Sequence, residues 1–135
     1  MSESNELGHW GERQACKLLI EEGYSLLDAN WAGEGFELDI VAEYFGEIVF
    51  VEVKTRRDDT YRQRGDALKP RKMRNLLLGG KAYMAAHHLD APCRYDLITI
   101  IGTPEVYKIE HLTHAFSEES LYEHHIRFFK HEFEV

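Results

Sequence analysis

The chain has 135 residues, of which 44% are hydrophobic and 30% charged, and its formal net charge at pH 7 is −8. We expect one soluble globular domain with a substantial core, because these values are typical of such proteins. No apolar run approaches the roughly 18 residues of a membrane-spanning helix, and the acidic amino-terminal residues lack the apolar stretch of a signal peptide. Cys16 and Cys93 are isolated, which excludes a disulfide framework and suits a reducing cytoplasm.

A first helix is predicted over residues 5–22, with an apolar face that includes Ala15, Cys16 and Leu19. Glu12 precedes these residues by three, four and seven positions, so it lies on the same inward face. An acid directed at a sheet is unusual. The alternative is a residue at the fringe of the helix that reaches solvent or bonds a helix-start amide.

Three strands are predicted next, at residues 24–31, 36–41 and 48–54. The last two contain the pattern D-x12-E-x-K, formed by Asp39, Glu52 and Lys54. If the turn between them has two or four residues, Asp39 lies opposite Glu52. Facing carboxylates repel each other and favour a cation between them. A divalent metal held by two carboxylates, with a lysine alongside, is an arrangement suited to the hydrolysis of a phosphodiester.

An E-x-K pattern on its own most often belongs to a solvated edge or face of a strand. Here Val49, Val51 and Val53 are all apolar, and so are Ile48 and Phe50 on the other face. Such a near-continuous apolar run is typical of a strand that is buried on both faces. Charged residues in such a strand are costly unless they are paired or coordinated, so the pattern favours a functional site.

The second half of the chain is predicted to form a basic loop over residues 55–68, a helix from Pro70 to about residue 88, strands at 94–101 and 106–111, and a helical tail over 117–135. The tail carries an apolar seam of Tyr122, Ile126, Phe129 and Phe133. We expect this seam either to pack on the domain or to form the interface of a homodimer. Several histidines are scattered among glutamates and are expected to be solvated: His111, His114, His124, His125 and His131.

Charge is strongly segregated along the chain. Residues 54–74 contain nine basic and three acidic residues, a net charge of +6, so the rest of the chain carries −14. A basic segment that begins at the predicted metal site is suited to bind phosphates of a nucleic acid. The alternative is a basic run that is merely solvated.

Several motifs together resemble a known family. They are Gly8-x-x-Gly11-Glu12-x-x-Ala15, Gly23-Tyr24, Asn30, Glu37-Leu38-Asp39-Ile40-Val41-Ala42, Val49-Phe50-Val51-Glu52-Val53-Lys54-Thr55-Arg56, Lys72, Arg94-Tyr95-Asp96 and Ile109-Glu110-His111. The element order resembles the restriction-endonuclease-like PD-(D/E)xK nuclease fold. More narrowly, residues 8–116 resemble the YraN-like family of small uncharacterised proteins, which are similar to archaeal Holliday junction resolvases.

The resemblance implies a role for each matching residue. Asp39, Glu52 and the Val53 carbonyl would be ligands of Mg²⁺ or Mn²⁺, and Lys54 would be the active-site lysine. Glu12 would be the helix carboxylate of the resolvase-like proteins.

The sequence therefore predicts an α/β domain of restriction-endonuclease-like fold over residues 1–116, with a mixed central sheet flanked by helices and the tail as an appendage. The expected function is that of a cytoplasmic, metal-dependent endonuclease that acts on DNA or another nucleic acid, with branched DNA as one candidate substrate. Arg56, Arg57 and Lys72 are expected to bind flanking phosphates. The alternatives are a non-catalytic nucleic-acid-binding module of the same fold and a scaffold that binds another protein.

Overall fold

A computed structural model describes residues 3–58 and 68–120 of the chain. The elements in these ranges are α1 (Glu3–Glu21), β1 (Ser25–Gly33), β2 (Phe36–Tyr44), β3 (Glu47–Arg56), α2 (Pro70–Ala86), β4 (Cys93–Thr103) and β5 (Val106–Phe116). The strands form one sheet in the order β1-β2-β3-β4-β5. Strands β3 and β4 are parallel, and the other neighbours are antiparallel. The predicted α/β class, with a mixed sheet and flanking helices, is confirmed.

A two-residue turn joins β2 to β3 and fixes the register of the hairpin. Phe45 and Gly46 have φ angles of 49° and 82°, and positive values at both central positions define a type I′ turn. Tyr44 therefore pairs with Glu47, and the pairing continues to Ile40 with Val51. The turn thus has one of the two lengths that were predicted to align Asp39 with Glu52.

The two helices cover opposite faces of the sheet. Ala15 and Leu19 of α1 pack with a buried cluster on one face, which includes Ile40, Val51 and Ile98. Helix α2 packs with a second cluster on the other face, which includes Leu76, Leu77, Tyr83, Phe50 and Tyr95. The centre of β3 is buried on both faces, as its apolar run predicted.

A close approach sets the position of α1 against the sheet. A Cβ atom at Gly11 would lie 1.9 Å from Thr55 Oγ1, so only glycine lets the helix lie this close to the end of β3. The next residue along the helix is Glu12. Gly11 therefore brings Glu12 to the end of β3 that carries the predicted site.

Helix α2 provides the crossover that two parallel strands require. It begins at Pro70, as predicted, and ends at Ala86. Its first turn lies near the carboxyl-terminal half of β3, because Lys72 contacts Glu52. The helix thus brings basic residues to the same end of the sheet as α1 brings Glu12.

Several predicted strand ends were wrong: β2 extends to Tyr44 instead of residue 41, and β3 and β4 each end two residues later than predicted. Strand β5 continues to Phe116, although residues 106–111 were predicted. The additional residues follow an irregular stretch, where the register against β4 shifts near Asp96 and His114 adopts a φ of 53°. Such an irregularity interrupts the side-chain alternation that predicts a strand. The turn after β1 contains only Glu34 and Gly35, since β1 extends to Gly33 instead of ending at residue 31.

Part of the predicted basic loop, residues 59–67, lies outside the described residues, and so does the tail beyond Ser120 with all four residues of its apolar seam. Cys16 and Cys93 are both free thiols. Within residues 3–58 and 68–120, neither helix has the length and apolar character needed to cross a lipid bilayer.

Candidate active site

The site lies where β2 and β3 separate. Their pairing ends at Ile40 and Val51. Beyond this point β3 stays paired with β4 as far as Arg56, whereas β2 stays paired with β1 as far as Phe36. Asp39 is the first residue of β2 after the separation, so its side chain stands at the opening between the two strands.

The carboxylate of Asp39 takes the place of a backbone carbonyl as a hydrogen-bond acceptor at the edge of the β2–β3 pairing. Its Oδ2 atom accepts the backbone N–H of Val53 at 2.9 Å. The N–H and C=O groups of one strand residue point to the same side of the strand. The Val53 carbonyl is therefore directed to the opening that contains the Asp39 carboxylate, on the side where an ion bound to Asp39 would lie.

Glu52 is buried with a relative exposure of 9%, and the Asp39 carboxylate lies beside it, bonded to the N–H of the next residue, Val53. Burial raises the pKa of Glu52 to about 7, and the negative charge of Asp39 adds to the increase, whereas Lys72 opposes it. The two carboxyl groups that the sequence predicted to face each other are thus brought together.

A lysine from each of two elements stands near Glu52. Lys72 on the first turn of α2 places its Nζ atom 3.5 Å from Glu52 Oε1. Lys54 follows Glu52 by two positions in β3, so both residues lie on the same face of the strand, and Lys54 is half-buried. The acidic pair and both lysines are therefore concentrated at the end of β3 near α2.

Glu12 approaches the opening from the other face of the sheet. It is half-buried and lines a cleft of about 770 Å³ between α1 and strands β1 and β2. Asp39 lines the same cleft, together with Arg13 and Lys17. Glu12 and Asp39 thus line one cleft, and Asp39 is reached from this cleft as well as from the side of Glu52.

The predicted phosphate-binding residues surround the carboxyl-terminal end of β3. Arg56 is the last residue of the strand and donates from Nη1 to the carbonyl of Thr55 at 2.9 Å. Arg57 follows and is exposed. Lys72 is also exposed, although its ammonium group forms an ion pair with Glu52. Arg62 and Arg64 of the basic segment lie outside the described residues.

A second buried polar cluster lies on the α1 face, around Asp96. Arg94 donates from Nε and Nη2 to both carboxylate oxygens of Asp96 at 2.8 Å, and it also donates to the Tyr24 hydroxyl. His111 Nε2 lies 2.7 Å from Asp96 Oδ2, and His111 Nδ1 lies 2.9 Å from Glu22 Oε2. This cluster joins the end of α1 to β1, β4 and β5.

The prediction that His111 is solvated was wrong. Its side chain is only 7% exposed, because the ring is enclosed between Asp96 and Glu22. The hydrogen bond to Asp96 raises the pKa of His111, although burial opposes the increase. A signal was present in the sequence: Arg94 and Asp96 have opposite charges, alternate along a buried strand and therefore required polar partners.

The fold and this site define a small α/β protein with a carboxylate pair at the separation of two strands. The chain belongs to the uncharacterised protein family UPF0102, whose model matches residues 11–100. This finding confirms the predicted membership in the YraN-like family.

Proteins of the same family from several bacteria are similar over most of their length. The UPF0102 protein of Phocaeicola vulgatus is 40% identical over 116 residues, which cover 86% of this chain and 96% of the relative. The protein of Bacteroides thetaiotaomicron is 41% identical over the same shares of the two chains. The protein of Chlorobium phaeobacteroides is 35% identical over 119 residues, with 83% and 94% covered.

A solved structure described as the crystal structure of SSO0001 is 20% identical in sequence and has a TM-score of 0.43. The similarity covers 89% of this chain and 57% of that chain.

Proposed function

We propose that this protein is a metal-dependent endonuclease with the restriction-endonuclease-like PD-(D/E)xK fold. The observation that carries the proposal is the position of the Asp39 carboxylate at the opening between β2 and β3, where it accepts the Val53 N–H beside the buried Glu52, with Lys54 two positions after Glu52. The site therefore brings a second acid beside the ion pair of Glu52 with Lys72. A structural ion pair does not need this second acid, whereas a divalent cation would use both carboxylates.

The donor set fits Mg²⁺ or Mn²⁺. Carboxylate and carbonyl oxygens are the ligands that these ions prefer, and the site offers Asp39, Glu52 and the carbonyl of Val53. Among the described residues, no group of three or more His, Cys, Asp or Glu side chains forms a metal cage. That finding is compatible with Mg²⁺, which is usually held by one or two carboxylates and keeps several water molecules.

The residues around the pair have separate roles in the proposed reaction. When bound, the metal supplies polarisation of the phosphate and a lower pKa of an attacking water. Asp39 and Glu52 hold the metal, and the hydrogen bond from the Val53 N–H keeps the Asp39 carboxylate in place. Lys54 orients the water or stabilises the charge that develops on the phosphorus oxygens. Glu12 directs a further carboxylate toward the opening from α1.

The basic residues near the carboxyl-terminal end of β3 support a nucleic acid as the substrate. Arg56 and Arg57 extend directly from the strand that carries Glu52 and Lys54, and Lys72 lies beside Glu52. Contacts of this kind with phosphates fix the position of a nucleic acid without reading its sequence. A flanking phosphate would therefore be held within reach of the carboxylate pair, and branched DNA is one candidate substrate.

The metal site is tested by calorimetric titration with MgCl₂ and MnCl₂. We expect the wild type to bind one ion and Asp39→Asn to lose binding, while the fold is retained because the amide oxygen still accepts the Val53 N–H. Glu43→Gln is the matched control, since it removes an exposed acid at the other end of β2 and should bind metal as the wild type does. Equal metal affinity in Asp39→Asn and wild type would contradict the proposed site.

Activity is tested by a cleavage screen with single-stranded, duplex, flap and four-way-junction DNA and with RNA, in the presence of Mg²⁺ or Mn²⁺. We expect Lys54→Ala to bind metal nearly as well as the wild type but to cleave at least about 100-fold more slowly, because its contribution is made in the transition state. Binding of these substrates without cleavage by the wild type would favour a non-catalytic nucleic-acid-binding protein.

A further inference from the structure

Lys72 brings a positive charge to the carboxylate pair from the face that α2 covers. Its ammonium nitrogen lies 3.5 Å from Glu52 Oε1. The Glu52 side chain is 10% exposed, whereas that of Lys72 is 49% exposed. The ion pair therefore joins a fixed, buried carboxylate to an ammonium group on a long and flexible stem that also reaches solvent.

The start of α2 gives this lysine no favourable environment within its own helix. The positive end of the helix dipole favours acidic residues in the first turn, but the first turn of α2 contains none. The N-cap residue Lys69 makes no side-chain capping hydrogen bond, and Arg71 and Lys72 directly follow Pro70. The favourable partner of Lys72 is therefore Glu52 on the sheet.

We propose that Lys72 is a counter-cation built into the site. Its ammonium group neutralises Glu52 in the metal-free protein. When a divalent cation binds, the ammonium group moves away from Glu52 and binds a nucleic-acid phosphate. The inference rests on the proposed function, from which it takes both the metal and the phosphate. It adds that the metal and the nucleic acid bind cooperatively, because the metal displaces the Lys72 side chain from Glu52 and thereby frees it to bind the phosphate.

The electrostatics of the exchange are favourable. A divalent cation on Asp39 and Glu52 would lie a few ångströms from the Lys72 ammonium group, and charges at such distances interact strongly even when they are partly screened. The departure of Lys72 leaves no uncompensated buried charge, because the metal would then neutralise the Glu52 carboxylate. Coupling between two ligands is reciprocal, so the metal should strengthen phosphate binding and the phosphate should strengthen metal binding.

This role differs from that of a lysine that only binds phosphate. If Lys72 competes with the metal for Glu52, its removal should strengthen metal binding in the absence of nucleic acid. Its removal should also weaken the effect of the metal on nucleic-acid affinity, because only the direct attraction between metal and phosphate would remain. A lysine that only binds phosphate would affect neither property beyond the general loss of one positive charge.

The first experiment titrates MgCl₂ into the wild type, Lys72→Met and Arg71→Met in calorimetry without nucleic acid. Arg71→Met is the matched control, because it removes the same charge from the adjacent position of the same helical turn. We expect Lys72→Met to bind Mg²⁺ about three- to tenfold more tightly than wild type and Arg71→Met less than about twofold more tightly. Equal affinities of the two variants would overturn the inference.

The second experiment measures the affinity for a short DNA duplex by fluorescence anisotropy, with and without Mg²⁺, in a Lys54→Ala background that keeps the duplex intact. We expect Mg²⁺ to increase the affinity of this parent at least about fivefold, as for typical coupled ligands. The ratio of the affinities with and without Mg²⁺ should keep this size with Arg71→Met and fall to less than half of it with Lys72→Met, where only the direct attraction between metal and phosphate remains. A ratio that is unchanged with Lys72→Met would overturn the inference.

The two levels of the proposal fail in different ways. A wild type that binds no divalent cation would overturn the proposed function and this inference together. A wild type that binds Mg²⁺ with the same affinity as both variants would overturn the role of Lys72 alone. Thermal unfolding of each variant establishes that a changed affinity does not arise from a lost fold.

Discussion

Asp39 combines a role in the sheet with a position in the site. The carboxylate takes the Val53 N–H that would otherwise continue the ladder between β2 and β3. The same carboxylate lies beside Glu52, whose pKa its charge raises, and lines the cleft with Glu12. Because these groups come from β3 and α1, the separation of the two strands is part of the fold, and it provides the opening that the proposed metal and phosphate would occupy.

The residues of the site were predictable to different extents. Asp39, Glu52 and Lys54 stand on two adjacent strands, so alternation and a short turn were sufficient to place them together. The contact between Lys72 and Glu52 was not predictable, because twenty residues separate the two in the chain and the path of α2 decides which residue of its first turn meets the sheet. Long-range contacts of this kind carry no local pattern.

His111 gives a test of the cluster around Asp96. Both ring nitrogens lie within hydrogen-bonding distance of carboxylates, and the bond to Asp96 raises the pKa of His111 above its usual value near 6.5. A raised pKa in the folded protein means that the stabilisation is complete below about pH 6.5 and is lost as the pH rises through the folded-state pKa.

We therefore expect His111→Gln to reduce the free energy of unfolding by about 1–3 kcal/mol at pH 6, as is typical of hydrogen bonds to charged groups. The difference from the wild type should shrink as the pH is raised toward 9. Urea unfolding at several pH values measures it, and His9→Gln, an exposed histidine of α1, is the control. A difference that does not change with pH would show that His111 is not charged in the folded protein.

At the scale of elements, the hairpin of β2 and β3 was the most predictable part of the fold. The alternation and the turn residues around Gly46 left turns of two or four residues, which give the same register, and the structure has the two-residue turn. The extent of β5 was not predictable, because its backbone deviates from regular strand geometry opposite Asp96, where the backbone N–H of His114 bonds the Asp96 carboxylate. A tertiary contact, not local preference, determines this strand.

The packing of α1 on β3 leads to a prediction about two glycines of one helix. A Cβ atom at Gly11 would meet the Thr55 side chain at 1.9 Å, whereas one at Gly8 would meet nothing within 4 Å. We expect Gly11→Ala to destabilise the protein by about 1–3 kcal/mol through overpacking. Gly8→Ala should be neutral or stabilise it by up to about 1 kcal/mol, because alanine favours a helix more than glycine does.

Urea unfolding at one pH measures both variants. Since the intrinsic helix preference changes in the same way at both positions, the difference between them isolates the contact with Thr55. Equal stabilities would mean that α1 does not lie as close to β3 as the structure places it.

At the scale of the whole molecule, two features predicted from the sequence remain predictions. The homodimer was inferred from the apolar seam of the tail, which lies outside the described residues. Truncation after Phe116 should convert a dimer to a monomer in analytical sedimentation if the seam forms the interface. A wild type that sediments as a monomer at high concentration would contradict the dimer.

The segregation of charge is the second feature, and it determines how the molecule would approach a nucleic acid. The overall charge of −8 repels a polyanion, so binding depends on the segment of residues 54–74, whose net charge is +6.

Each phosphate contact on duplex DNA contributes about −0.9 to the slope of log affinity against log salt concentration. We expect Arg56→Ala combined with Arg57→Ala to make this slope shallower by about 1.8, because each arginine would lose one contact. The slope is measured by anisotropy of a labelled duplex at several salt concentrations. Lys81→Ala is the control, since it removes an exposed charge in the second half of α2, where the lysine pairs with Glu118. An unchanged slope in the double variant would place the nucleic-acid surface away from the end of β3, and the cleft beside α1, with Arg13 and Lys17, would then be the surface to test.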